Sequence, residues 1–284
     1  MKVMLAGAFG NLGSDILRHL IDAGHSVVAC DIKPKEMPGY EGKFETKIID
    51  VTKPETLKGT CDGCDAVITT VGLVGKSKTL SNYDIDLNGN LAILKEAKAA
   101  GVKNFGYVSV IKCDSDPNVP MLEAKHQFEE KLKVSGLKYV IFRPTGYFYD
   151  IAKVFMPMIE KGKVTLLGHK DFPCNVIDTT DLADFIVKHI EDDGKTYSIG
   201  GKESYTYKQI AEMFFAAAGK PCKISRAPAF LFDLLAKKAK KEGGNKEALI
   251  RFSKWTLTHD LVGDTMYGNL SFAEYIKSRY PKEK

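Results

Sequence analysis

GAFGNLG, Gly7 to Gly13, follows the apolar run KVMLA directly and opens the helical pattern NLGSDILRHLIDAG. Glycines spaced G-x-x-G-x-x-G between a strand and a helix meet three physical needs. They allow a tight turn at Gly7, close backbone approach to a pyrophosphate at Gly10, and close helix-on-strand packing at Gly13. The helix N-terminus then faces the anion with free N–H groups and the positive end of its dipole. Phe9, Asn11 and Leu12 fall in the same turn and are expected at the same ligand. The spacing departs from the G-x-G-x-x-G of many dehydrogenases, so it is the strand-to-helix context that makes the motif specific.

Outward from this turn the first half alternates regularly. KVMLAG, HSVVACD, TKIID, DAVITTVG, FGYVSV and YVIFRP are apolar runs bounded by turn residues, the pattern of buried strands in a sheet covered on both faces. Between them, Leu12, Ile16 and Leu20 form one helical stripe with Leu17 and Ile21 beside it, ended by Gly24, and DLNGNLAILKEAKAAGV forms another, ended by Gly101. Strand, helix, strand in series predicts right-handed crossovers and a parallel sheet. The fold expected is α/β, a Rossmann-type doubly wound parallel sheet. Residues 1–150 form its dinucleotide-binding domain, and residues 151–284 a smaller, mostly helical substrate-binding region packed on it. That second part has short strand candidates in VTLLG, CNVID and TYSIGG and helices in TYKQIAEMFFAAAG and AFLFDLLAKKAK.

Composition narrows the function classes. With 284 residues, 44% hydrophobic, the chain can bury a sizeable core. There is no apolar run long enough for a membrane span and no signal-peptide pattern at the start, and six scattered cysteines do not make a secreted disulfide framework. A cytoplasmic protein is expected. The net charge of +5 is modest, and its densest patch, KKAKK at Lys237–Lys241, reads as a solvated helix face because no aromatic residues interleave with the lysines. No nucleic-acid or membrane partner is expected. Cys61 and Cys64 have CxxC spacing but no second pair or histidine at zinc spacing, so no metal is expected, and His169 and His259 are isolated.

Asp31 ends the second predicted strand, beside Ile32. A carboxylate there accepts from both adenosine ribose hydroxyls and repels a 2′-phosphate, which favours NAD over NADP. Lys33 and Lys35 can offset that repulsion, so NADP stays open. Asp50 and Val51, ending the third strand, reach toward the adenine, and Thr70, Val71 and Gly72, after the fourth, line the groove with main chain.

These residues, together with AAGVKNFGYVSV, AKHQFEEKLKVSGLKYVIFRPTGYF, DTTDLADFI and YGNLSFAEYI, resemble the atypical short-chain dehydrogenase/reductases over nearly the whole chain, in their NmrA-like branch. The later phrases are similar to divinyl reductases and their bacterial relatives. The resemblance implies an NAD(P)-dependent oxidoreductase acting on a small organic substrate, with Lys125 and Pro144 among the cofactor contacts. In active members of the larger family a serine, a tyrosine, and a lysine four residues after the tyrosine carry the chemistry. Ser109 and Lys125 match, but the tyrosine position is Met121, whose thioether has no acidic proton. Three sources of a proton follow: Lys125, ranked first; Tyr147 or Tyr149 after the sixth strand; or water. The plainer readings are that Lys125 is a surface lysine paired with Glu129, that Ser109 merely ends a strand, and that Tyr147 packs in the core. The missing phenol also suits a protein that binds NAD(P) as a redox sensor for a protein partner, as NmrA-like regulators do.

Overall fold

The computed structural model describes residues 1–73 and 75–280. The six apolar runs of the first half become β1 (Lys2–Ala6), β2 (Ser26–Asp31), β3 (Glu45–Ile48), β4 (Ala66–Thr69), β5 (Asn104–Val108) and β6 (Lys138–Pro144). Between them lie α1 (Asn11–Asp22), α2 (Asn90–Ala99) and α3 (Pro120–Lys133). The second half continues with α4 (Phe148–Glu160), β7 (Val164–Leu167), β8 (Pro173–Cys174), α5 (Thr179–Lys188), β9 (Lys195–Gly200), β10 (Tyr205–Thr206) and α6 (Tyr207–Ala217). It ends with β11 (Ile224–Ala227), α7 (Phe230–Glu242), α8 (Lys246–Thr258), β12 (Thr265–Met266) and α9 (Phe272–Ser278).

An eight-stranded sheet in the order β12-β9-β6-β5-β4-β1-β2-β3 runs parallel throughout. Strand alternation sorts its side chains into two cores. Val3 and Leu5 of β1 pack with Leu12, Ile16, Leu17 and Leu20 of α1 and Leu182 and Ile186 of α5 on one face. Met4 and Ala6 pack with Ile93 and Leu94 of α2 and Phe128 and Leu132 of α3 on the other. Burial on both faces is why these strands read as unbroken apolar runs. TKIID departs from that expectation: β3 is an edge strand with Ile48 70% exposed, because β2 is its only neighbour in the sheet. CNVID is also less regular than expected, pairing through the two-residue β8 and two isolated bridges, Ile177 to Tyr147 and Cys174 to Leu261.

The second half does two things. It lends β9, β12 and α5 to the sheet layer, and it builds a third core from Phe148 and Phe155 of α4, Phe214 and Phe215 of α6, Trp255 of α8 and Phe272 of α9. It also clamps the loop after β4. Asn245, 2% exposed between α7 and α8, accepts from Ser77 N at 2.7 Å and donates to Gly75 O at 2.7 Å, while its own N–H donates to Ser77 O at 3.1 Å. Asn245→Ala removes the two side-chain bonds to the part-buried Ser77 N and Gly75 O, and a loss of about 2 kcal/mol is expected in denaturant unfolding. A loss within about 0.5 kcal/mol, the range of ordinary surface changes, would show that water replaces the clamp.

Candidate cofactor groove and active site

Chain order reverses between β1 and β4, which are neighbours in the sheet, and ligands of open α/β sheets sit at the carboxyl ends of strands beside such a reversal. Gly7 and Thr70–Gly72 lie there together. Gly7 has φ +79°, and an added Cβ would meet Thr70 Oγ1 at 2.5 Å. At Gly13 a Cβ would lie 1.9 Å from the Gly7 carbonyl oxygen, so only glycine lets α1 press against the turn. Gly10 is the exposed N-cap of α1, and no side chain caps the helix or places an acid in its first turn. Asn11 is exposed beside it, whereas Phe9 and Leu12 turn their side chains into the core and offer a ligand only main chain. The turn therefore presents open helix N–H groups to solvent, the cradle an anionic pyrophosphate fits.

At the adenosine end Asp31 is already engaged. Its Oδ2 accepts from Phe9 N at 3.0 Å and its Oδ1 from Lys33 N at 3.2 Å, which ties β2 to the glycine turn. Lys35 Nζ donates to Phe9 O at 3.0 Å, bringing a cation to the same corner. Ile32 is 58% exposed next to Asp31, an apolar platform open to a ring. Asp50 Oδ1 accepts from Thr52 N and Oγ1, and the Thr52 hydroxyl is the main reason its carboxyl sits below the usual range. Val51 packs against the helix before α2: a Cβ on Gly89 would meet its Cγ2 at 2.7 Å.

That helix holds the residue sequence reasoning missed. Tyr83–Gly89 is π-helical, continuing into α2. Asn90, fully buried, accepts from Thr69 Oγ1 at 2.7 Å and donates to Asp86 O at 2.9 Å and Val71 O at 3.1 Å, binding the segment to the end of β4. The wide turn directs Asp86 inward, where its side chain is 2% exposed. Asp86 Oδ1 lies 3.2 Å from Lys125 Nζ, and its Oδ2 accepts from Asn82 Nδ2 at 2.9 Å and Leu73 N at 3.2 Å. An Asp at the start of an apolar helix reads as a dipole partner; nothing in the local pattern signals a π turn.

Lys125 is thus no surface lysine. Its Nζ also donates to Val108 O at 3.4 Å and lies 5.4 Å from the centre of the Tyr107 ring, and a Cβ on Gly72 would come within 3.6 Å of it. The alternative partner Glu129 is fully buried and accepts from Arg143 Nη2 at 2.6 Å and Nε at 3.0 Å. Lys125 reaches the end of β5, and Ser109, 4% exposed, follows that strand with its hydroxyl buried and without a hydrogen-bond partner among the described residues. Lys125, Asp86, Gly72 and the chain at Ser109 therefore share one corner beyond the glycine turn.

Tyr147 and Tyr149 are not hydrogen-bonded to that corner among the described residues. Their rings stack on each other at 5.5 Å, and burial raises the Tyr147 phenol well above its ordinary value and the Tyr149 phenol to about 12. Pro144, buried at the end of β6, accepts from Ile111 N at 3.0 Å. A cavity of about 180 Å³ borders the N-terminus of α3, lined in part by Asn118, Val119, Arg251, Trp255, Thr258 and His259. Cys61 and Cys64 are free thiols buried at a turn, and burial pushes Cys61 up to about 12, which makes it a poor nucleophile. Among the described residues no group of three or more His, Cys, Asp or Glu is placed to hold a metal ion.

The parallel sheet, the order reversal and the open glycine turn define a Rossmann-type dinucleotide-binding protein. The chain belongs to the NAD(P)H-binding family, whose model matches residues 7–193. It is 26% identical over 262 residues, 90% of this chain and 76% of the relative, to photosystem II assembly factor Ycf39 of Synechocystis. It is 25% identical, over 83% of this chain and 65% of the relative, to divinyl chlorophyllide a 8-vinyl-reductase of Oryza sativa. Among solved structures its fold is similar to NADPH-dependent quinone oxidoreductase QOR2 of Escherichia coli, with TM-score 0.73, 18% identity, and 98% and 99% of the two chains covered. It is equally similar to triphenylmethane reductase of Citrobacter, with TM-score 0.73, 16% identity, and 99% and 100% covered. No helix among the described residues is long and apolar enough to cross a membrane.

Proposed function

We propose that this protein is an NAD(P)H-dependent reductase of the atypical short-chain dehydrogenase/reductase type, acting on a small organic substrate with a conjugated carbonyl or vinyl group. The observation that carries the reading is Lys125, drawn off the surface of α3 and held by Asp86 and the Val108 carbonyl beside Ser109. The bound nicotinamide cofactor supplies hydride. Gly7, Gly10, Asn11 and Gly13 would hold its pyrophosphate, Asp31 its adenosine ribose, Ile32, Asp50 and Val51 the adenine end, and Lys125, Thr70–Gly72 and Pro144 the nicotinamide end. Lys125 gives or takes the proton through Nζ, with Ser109 Oγ as a second donor to a substrate oxygen. Tyr147 stays a neutral phenol, able to donate but not to act as a base. The region of residues 151–284 supplies the substrate pocket through Trp255 and His259.

Purified protein should oxidise NADH in the presence of some member of a quinone, enone and vinyl panel. Failure across the panel, with tight discrimination between oxidised and reduced cofactor, would favour the second reading. That reading is an NmrA-like sensor passing the cofactor's redox state to a protein partner, and Met121 and the likeness to the Ycf39 assembly factors support it.

The position of Asp31 supports NAD as the preferred cofactor. Asp31→Asn should weaken NADH relative to NADPH by about tenfold, the equivalent of about 1.4 kcal/mol, in paired fluorescence titrations. An unchanged ratio would mean that Lys35, not Asp31, governs the choice.

A further inference from the structure

We propose that α7 and the adjoining loop form a peripheral attachment site for an anionic lipid surface. A surface helix ordinarily turns large apolar side chains inward and charges outward. α7 is built the other way round. Its inner face carries Ala236 and Ala239, buried to 1% and 2%, while Phe230, Leu231, Leu234 and Leu235 stand 40–59% exposed over its first half. Its second half continues outward with Lys237, Lys238, Lys240 and Lys241, all exposed and none in an ion pair among the described residues. The carboxylates nearby are taken: Asp233 by Lys254 at 2.7 Å and Glu242 by Lys246 at 2.6 Å. The Asn245 clamp sets the loop after β4 against the same helix end, which brings exposed Lys76 and Lys78, on either side of Ser77, to the end of α7.

The sequence alone expected no membrane contact, because lysines by themselves describe any solvated helix. The apolar side chains change the reading. A cluster of phenylalanine and leucine beside unpaired lysines is the composition of helices that lie in a lipid interface, with the apolar part at the acyl boundary and the ammonium groups among the headgroups. The nearest carboxylates, Asp233 and Glu242, are ion-paired with Lys254 and Lys246, which leaves the α7 lysines to meet the diffuse negative potential of a leaflet. The reductase and sensor readings of the cofactor site stand or fall independently of this surface.

The test is flotation of the 284-residue chain with phosphatidylcholine vesicles, with and without phosphatidylserine. Attachment is expected only to the phosphatidylserine vesicles, weakening as salt rises. Lys237→Gln, Lys238→Gln, Lys240→Gln and Lys241→Gln combined should lose about fivefold for each lysine replaced. Leu234→Ser with Leu235→Ser should abolish attachment even at low salt, with melting temperature and NADH binding unchanged. Absence of flotation, equal binding to neutral vesicles, or binding by either variant equal to that of the unaltered protein would overturn the proposal. So would lipid-independent self-association that the leucine pair removes, which would make the face a contact between two copies.

Discussion

Lys125→Ala is expected to abolish turnover of any substrate this protein reduces while leaving NADH binding within about tenfold. Asp86 and the carbonyl of Val108, next to Ser109 in the chain, hold the lysine, and Met121 removes the usual phenol, so losing the ammonium removes the foremost acid. General acid–base catalysis is worth about 10²–10⁴ in rate, and a loss of that size is the expected reading. The variant also does something a surface lysine would not. It leaves Asp86, 2% exposed, with the Asn82 amide and the Leu73 N–H as its remaining donors among the described residues. Breaking a buried pair from one side costs about 3–5 kcal/mol. Unfolding measurements should show that penalty, and Asp86→Asn with Lys125→Met should recover most of it by removing the second charge. Turnover must stay absent in the double variant. Turnover restored together with stability would show that Lys125 is structural and that the proton comes from Tyr147, Tyr149 or water.

Gly13→Ala should remove NAD(P)H binding by at least about a hundredfold and destabilise the fold by about 3 kcal/mol, the upper end of ordinary overpacking. The reason is that the obstacle is backbone. The new Cβ would sit 1.9 Å from Gly7 O and 2.9 Å from Gly7 C, and neither can turn aside as a side-chain tip would. Relief requires α1 to lift from β1, which moves the N–H groups of its first turn away from the phosphate cradle. Gly10→Ala is the control: its Cβ meets only Gly7 O at 3.3 Å, so it should fold normally and lose affinity alone. Equal effects at both positions would show that affinity does not depend on how closely α1 seats.

The fold was legible from residue order because its cause is local. Val3 to Ala6, Val27 to Cys30 and Ala66 to Ile68 are buried on both faces, so every residue of each run had to be apolar. The glycine turn was legible because steric exclusion at Gly7 and Gly13 leaves one residue type. The edge position of β3 was not, since an edge is defined by the absence of a neighbour.

Lys125, Ser109 and Met121 could be singled out in the sequence, as could the lysines of α7, but their surroundings could not. Only the tertiary structure turned Asp86 inward on a π-helical segment, gave Glu129 to Arg143 instead of Lys125, and set Leu234 and Leu235 facing outward. Backbone conformation and apolar periodicity are properties of neighbouring residues, so the sequence by itself determines the strands, the helices and the turn between them. Which charge meets which, and which face of a helix is covered, depend on residues tens of positions apart, and those partners exist only once the sheet has brought them together.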